Sequence, residues 1–298
     1  MTEPLPPLLV LGAGPAGRAL LRAARTLGRR TLATTRDPGR LAALAALGAE
    51  AVRVSSPPCA AEVVAATPPG ADVAVTFPPD GVTDAALAAA LRGRAGAIVY
   101  VSTTGVFGEV SGRVDDETPV APPAARDARI ARRIAAEDAW RAAGASVLRA
   151  PAIYGPESGL HRRLLAGEHR VTEDGARRVS RIHVDDLAAL TLAALARSRR
   201  AGPSTYVVGD HAPAPQHEVV GWLCARMGLP LPPSVPAAAA APTLRADRAV
   251  DPSRALRELG VALRYPTYRE GFAQILASAG DPGQGEASPP ETPPGAAR

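Results

Sequence analysis

Gly12-Ala13-Gly14-Pro15-Ala16-Gly17 directly follows a short apolar run, Leu8 to Leu11, and opens an alanine-rich helical stretch. Each glycine answers a steric need: a tight turn at Gly12, backbone room for a bound pyrophosphate at Gly14, and close packing of helix on strand at Gly17. The helix start adds free N–H groups and the positive end of its dipole. Strand, glycine turn and helix in this order point to a dinucleotide site, with Ala13, Pro15 and Ala16 completing the loop.

The chain beyond repeats the same unit. Strands are expected at 8–11, 31–35, 51–54, 72–77, 97–102, 146–148 and 206–208, with helices at 18–27, 41–47, 83–92, 127–143 and 185–196. Continuous apolar strands alternating with helices specify an α/β fold with a doubly wound parallel sheet, a Rossmann fold. Asp185 or Asp186 is able to cap the last of these helices. Beyond Gly209, prolines at 213, 215, 230, 232, 233, 236 and 242 break the chain into short pieces. The expected division is a Rossmann domain over 1–156 and 179–209 and a small C-terminal substrate lobe from 157–178 and 210–279. The alanine run between Pro236 and Pro242 reads as a short helix or linker. The tail, 280–298, has almost nothing apolar to offset its ordering entropy and is expected to be disordered.

Composition narrows the chemistry. The 298 residues carry 34 basic and 29 acidic side chains, a net charge of +5, and every basic one is arginine. With no lysine, Schiff-base and P-loop mechanisms are excluded. Basic residues alternate with acids and aromatics are only 3%, which leaves little surface for base stacking and argues against nucleic acid. Cys59 and Cys224 have neither metal nor disulfide spacing, which suits a reducing cytoplasm. Met1-Thr2-Glu3-Pro4 lacks a basic n-region and the first apolar run is too short for a signal or a membrane span.

The end of the second strand selects the cofactor. An acid there binds the adenosine ribose hydroxyls of NAD, whereas an arginine accommodates the 2′-phosphate of NADP. Thr34-Thr35-Arg36 places a guanidinium immediately after the strand, with Arg40 one turn on, while Asp37 stands next to Pro38 as a cap for the following turn. NADP(H) is therefore expected ahead of NAD(H). Phe77 and Ser102, which close two central strands at the same edge of the sheet, join the expected cofactor set.

From Tyr100-Val101-Ser102-Thr103-Thr104-Gly105-Val106-Phe107-Gly108 onward the chain resembles the extended short-chain dehydrogenase/reductases, the NAD(P)-dependent epimerase/dehydratase family. Asp116-Glu117-Thr118-Pro119, Ile153-Tyr154-Gly155-Pro156, Arg181-Ile182-His183-Val184-Asp185-Asp186 and Leu263 to Gly271 follow in the family's order, so the resemblance covers about residues 8 to 275. It implies hydride exchange with a nicotinamide, and a Ser/Thr, here Thr103, touching the substrate carbonyl or hydroxyl. Two features depart from the family: the glycines are spaced as in atypical members, and the tyrosine–lysine pair is missing.

Counting back from Glu137, which matches the glutamate that commonly follows the lysine, places Arg133 at the lysine position and Arg129 at the tyrosine position. Arg133 can hold ribose hydroxyls and keep a positive charge there. Arg129 cannot replace the tyrosine, because a guanidinium is a poor proton donor near neutrality. The two share a helix face: either they are solvated or paired with Glu137 and Asp138, or an anionic substrate group or cofactor phosphates lie between them. Thr103 either contacts substrate or bonds backbone at the strand end. Tyr154 and His183 remain as proton-donor candidates, with His183 expected to be packed and Tyr154 to act from behind the site. His161, His169, His211 and His217 read as surface residues, and no metal site is expected.

The expectation is an NADP(H)-dependent oxidoreductase or epimerase-like enzyme acting on a small-molecule carbonyl or hydroxyl substrate, monomeric or homodimeric. The alternative is a non-catalytic NADP(H)-binding sensor that has lost the tyrosine–lysine pair.

Overall fold

The computed structural model describes residues 4–173, 175–236, 239 and 246–279. Seven strands form one parallel sheet: β1 (Leu8–Leu11), β2 (Thr31–Thr35), β3 (Glu50–Arg53), β4 (Asp72–Val75), β5 (Ile98–Thr103), β6 (Ala145–Ala150) and β7 (Thr205–Val207). Their spatial order is β7-β6-β5-β4-β1-β2-β3, the doubly wound arrangement expected from the sequence. Every registered pair is parallel. Strand order reverses at β1, so a crevice opens beyond the carboxyl ends of β1 and β4, where such sheets bind ligands.

Helices cover both faces because the central strands are apolar on both. On one side α1 (Pro15–Thr26), α2 (Leu41–Ala46) and α7 (Val184–Ala201) pack over Leu8, Val10, Val99 and Leu148. On the other, α3 (Ala60–Ala66), α4 (Thr83–Leu91) and α5 (Ala128–Ala142) cover Leu9, Val75, Tyr100 and Val147, with Trp140 fully buried among them. The sequence reading missed α3, a seven-residue alanine-rich turn of helix that Val63 alone anchors as a buried residue.

Two helix starts differ from expectation for identifiable reasons. α1 begins at Pro15 rather than Arg18, since proline is preorganised for a first helical position where no N–H bond is needed. α7 begins at Val184, so its cap is His183, whose Nδ1 accepts from the Asp185 N–H at 3.2 Å. Neither Asp185 nor Asp186 caps it. Asp186 instead turns inward and accepts from the backbone N–H groups of Arg264 (2.7 Å) and Tyr265 (3.0 Å), tying α7 to the chain that follows.

A separate apolar cluster joins α6 (Leu160–Leu165), α8 (Gln216–Met227) and α10 (Tyr268–Ala279) through Leu160, Leu164, Leu223, Tyr268 and Phe272. The proline-broken region thus holds two twelve-residue helices. Within it α9 (Ser253–Leu259), expected in the smaller lobe, packs Ala255 and Leu259 into the core on the α1–α7 side of the sheet. Arg248–Val250 pairs in parallel with Gly112–Val114, and Arg181–His183 with Ala152–Tyr154. These short pairings bring the later chain over the carboxyl ends of the sheet. The tail 280–298 and most of the alanine run between Pro236 and Pro242 lie outside the described residues.

Candidate active site

The glycine turn has the geometry its spacing implied. Gly12 has φ +98°, and a Cβ there would stand 2.8 Å from the Phe77 backbone nitrogen. A Cβ on Gly17 would lie well inside contact distance of the Gly12 carbonyl oxygen, whereas one on Gly14 would meet nothing within 4 Å. Gly14 therefore faces open space, as a residue that a pyrophosphate approaches must. Arg18 is the first α1 residue whose N–H bonds back, to the Gly14 carbonyl at 2.9 Å, so the N–H groups of Ala16 and Gly17 point out of the helix start. A dinucleotide pyrophosphate fits this cradle. Arg18 also donates to the Ala13 carbonyl (2.9 Å) and pairs with Glu157, which reaches back across the first turns of α1 to Arg22 as well.

Arg36 is exposed directly after β2. The competing acid is committed elsewhere: Asp37 Oδ1 accepts from the Gly39 N–H at 2.9 Å and caps the turn Pro38–Arg40.

A cavity of about 260 Å³ continues from the glycine turn along the strand ends, lined by Ala16, Phe77, Ser102, Thr103, Arg133 and Ile153 among others. A second, of about 200 Å³, lies beyond it under α6 and α10 and includes Thr103, Arg129, Tyr154, His169, Arg181 and Arg248 in its wall. Thr103 borders both. Its Oγ1 accepts from the Gly105 N–H at 3.2 Å, the backbone bond foreseen for a residue ending a strand, which leaves its own hydroxyl proton free to donate. Asp127 caps α5 by accepting from Ile130 N–H at 2.7 Å, which sets Arg129 in the first turn and Arg133 one turn later. Arg129 opens on the far cavity and Arg133 on the near one.

The pairing of these arginines with Glu137 and Asp138, one of the alternatives the sequence left open, is not what forms. Glu137 is fully buried and accepts from Ser102 Oγ (2.6 Å), Arg149 Nη2 (2.9 Å) and Arg141 Nη2 (2.5 Å), while Asp138 pairs with Arg141. Arg133 instead donates to the Tyr100 hydroxyl at 2.9 Å, and Arg129 has Asp127 at 3.9 Å. Ser102 lines the near cavity, but its hydroxyl is given to Glu137 rather than turned toward a cofactor.

Tyr154 forms part of the far wall, yet its hydroxyl is buried against Gly271 of α10 and finds no hydrogen-bond partner among the described residues. Burial raises its pKa far above the ordinary phenol value. That placement is unsuited to delivering a proton at Thr103. His183 is packed as expected, with Tyr265 4.0 Å and Tyr154 5.2 Å from its ring, and burial holds its pKa down. His161 and His169 correct the surface reading, for both are buried; His211 and His217 are exposed. The flanking arginines 162, 163 and 170 disguised the two buried imidazoles in the sequence. Among the described residues no cluster of His, Cys, Asp and Glu could hold a metal, and no helix is long and apolar enough to cross a membrane.

Sequence reasoning also missed Arg163, Arg181 and Arg248, which the fold brings into the far cavity from three separate segments. Arg248 donates to the Gly108 carbonyl at 2.7 Å and to that of Thr104, fixing it beside the end of β5. Burial and the nearby Arg129 lower its pKa.

The model of the NAD dependent epimerase/dehydratase family matches residues 8–209. Among solved structures, a functionally unknown conserved protein from Silicibacter pomeroyi is similar at 32% identity with TM-score 0.76, over 92% of this chain and 99% of that one. The human epimerase family protein SDR39U1 (isoform 2) with NADPH is similar at 17% identity and TM-score 0.68, over 91% and 99%. UDP-glucuronic acid 4-epimerase from Bacillus cereus, in complex with UDP-glucuronic acid and NAD, is similar at 16% identity and TM-score 0.71, over 92% and 99%. No curated protein matches the chain significantly.

Proposed function

The chain belongs to the NAD dependent epimerase/dehydratase family, and on that premise we propose that it is an NADP(H)-dependent oxidoreductase or epimerase-like enzyme acting on a small anionic compound with a carbonyl or hydroxyl group. The observation that carries this reading is Thr103, which borders both the cofactor-side crevice and the arginine-lined cavity. The nicotinamide, when bound, supplies or removes a hydride. Thr103 donates a hydrogen bond from its hydroxyl to the substrate oxygen and keeps its proton. Arg133, held by Tyr100 through one of its five N–H donors, uses others on the nicotinamide ribose. Arg129 and Arg248 hold an anionic group beside Thr103. With Tyr154 buried against Gly271, the proton that balances hydride transfer to a carbonyl comes from water or from the substrate itself.

Arg36 supports NADP(H), because the neighbouring acid is spent on its own turn. Similar structures hold NADPH in one case and NAD in another, so the preference rests on this chain's residues. Two free cysteines, one exposed and one buried, suit a reducing cytoplasm, and we place the protein there as a monomer or homodimer. The test is NADPH oxidation followed by absorbance with a panel of anionic and neutral aldehydes and ketones. Turnover restricted to anionic members supports the proposal; turnover on neutral members alone contradicts it.

A non-catalytic NADP(H) sensor is the second reading. It is favoured by arginines at the tyrosine and lysine positions and by Tyr100 and Tyr154 hydroxyls that are both buried. Tight NADPH binding with no turnover on any panel member would establish it.

A further inference from the structure

Among the described residues, the far cavity is bordered by five arginines and no carboxylate. Arg178 is neutralised by a bidentate pair with Asp247, at 2.9 and 3.0 Å. The other four fall into two groups. Arg129 and Arg248 act on one another at the Thr103 end. Arg163 and Arg181 act on one another, and both act on His169, at the end beneath α6.

Among the described residues this second group makes no ion pair with an acid. Arg181 is 4% exposed, donates to the Val179 carbonyl at 2.7 Å and makes no ion pair among the described residues. The acid that acts on it, Asp210, lies outside the cavity wall and is itself pushed up to about 7 by burial. A guanidinium taken out of water without a full counter-charge is costly. His169 is 3% exposed and its Nε2 has no hydrogen-bond partner among the described residues. Burial and the surrounding arginines hold its pKa down to about 4, so near neutrality it is an uncharged imidazole whose free nitrogen can serve as a donor.

We propose that Arg163, Arg181 and His169 form a phosphoryl subsite, separate from the anion position beside Thr103. It rests on the functional reading above only in calling the ligand a substrate. Two guanidiniums and a neutral N–H offer more donors than the two oxygens of a carboxylate need, and they match the three oxygens and near-double charge of a terminal phosphate. A cavity of about 200 Å³ lies below the ~300–1,000 Å³ of pockets for drug-sized ligands. The substrate is then a phosphomonoester of few carbons whose carbonyl or hydroxyl end reaches Thr103, rather than a nucleotide sugar.

The test is calorimetric titration of the full chain, saturated with NADPH so that the cofactor's own phosphate positions are filled, using inorganic phosphate, acetate and UDP at equal ionic strength. Phosphate is expected to bind at least about tenfold more tightly than acetate, and more tightly than UDP. Arg163→Gln, on the exposed rim, and His169→Gln are each expected to weaken phosphate by about tenfold, roughly 1.4 kcal/mol, with NADPH affinity unchanged. Phosphate no tighter than acetate, or indifferent to both substitutions, overturns the subsite; UDP binding more tightly than phosphate overturns the small-phosphomonoester assignment. Phosphate binding without NADPH turnover upholds the subsite and defeats the enzyme reading, whereas turnover confined to unphosphorylated compounds defeats the subsite alone.

Discussion

Alanine at Gly14 and alanine at Gly17 should separate cofactor affinity from stability. A methyl on Gly14 meets nothing within 4 Å, and its backbone, φ −71° and ψ −173°, is open to any residue. The gain from a stiffer unfolded chain and the loss of a favourable cap residue are each under about 1 kcal/mol and opposed, so stability should stay within about 1 kcal/mol of the parent. The methyl nevertheless occupies the space through which a pyrophosphate oxygen reaches the α1 N–H groups. Losing one hydrogen bond to a charged group is worth roughly 2 kcal/mol, so the NADPH dissociation constant should rise about 30-fold.

At Gly17 the methyl would press into the Gly12 carbonyl and force helix and strand apart by about an ångström. Such overpacking costs ~1–3 kcal/mol, a Tm lowered by several degrees, together with weakened NADPH binding because the donor array moves. Thermal melts paired with NADPH fluorescence titrations read both quantities. A Gly14→Ala chain that binds NADPH as the parent does, or a Gly17→Ala chain with an unchanged melt, would refute the reasoning.

Other perturbations probe the remaining parts. Glu137→Gln removes the charge shared by Arg149, Arg141 and Ser102 and should cost ~3–5 kcal/mol in denaturant unfolding, the penalty for breaking a buried pair; a loss under about 1 kcal/mol would contradict the network's role. Arg129→Ala should raise KM for anionic carbonyl compounds about tenfold or more, the loss of one charge-assisted contact, with NADPH affinity intact, and equal KM values would remove Arg129 from the site. Burial pushes Asp210 up to about 7 from ~3.9 in the unfolded chain. The folded state therefore binds more protons between those values, and this group's contribution to stability falls as pH rises from about 4 to 7. Asp210→Asn should flatten that slope, on the order of 2–4 kcal/mol across the window, in unfolding measured at pH 5 and pH 8. His169 has the opposite sign: lowered to about 4 from ~6.5, it costs stability as pH falls through that range, and His169→Gln should reduce acid sensitivity there.

The parallel sheet was legible because its strands are apolar runs bounded by glycine, proline or polar residues, and the cofactor turn because three glycines sit between a strand and a helix. What escaped was nonlocal. Nothing around Arg181 or Arg248 announces that two strand pairings, Arg181–His183 with Ala152–Tyr154 and Arg248–Val250 with Gly112–Val114, carry them to one cavity. His169 sits between acidic and basic neighbours that read as surface, and it is the tertiary fold that buries it in the cavity wall. Glu137 was recognised by its family position, but its partners Arg149 and Ser102 come from two other elements, which left Arg129 and Arg133 free for the cavities. The proline-rich C-terminal region concealed α8 and α10, whose apolar faces are completed by each other, by α6 and by Tyr154 from an earlier strand.

The central claim is that this chain holds NADP(H) through the glycine turn and reads the 2′-phosphate with Arg36. Parallel titrations of NADPH and NADH, on the parent chain and on Arg36→Ala, test it directly. The expected result is a preference for NADPH of about tenfold or more, worth at least ~1.4 kcal/mol, that largely disappears in Arg36→Ala while NADH affinity is unchanged. Equal affinities in the parent, or a preference that survives the substitution, would contradict it.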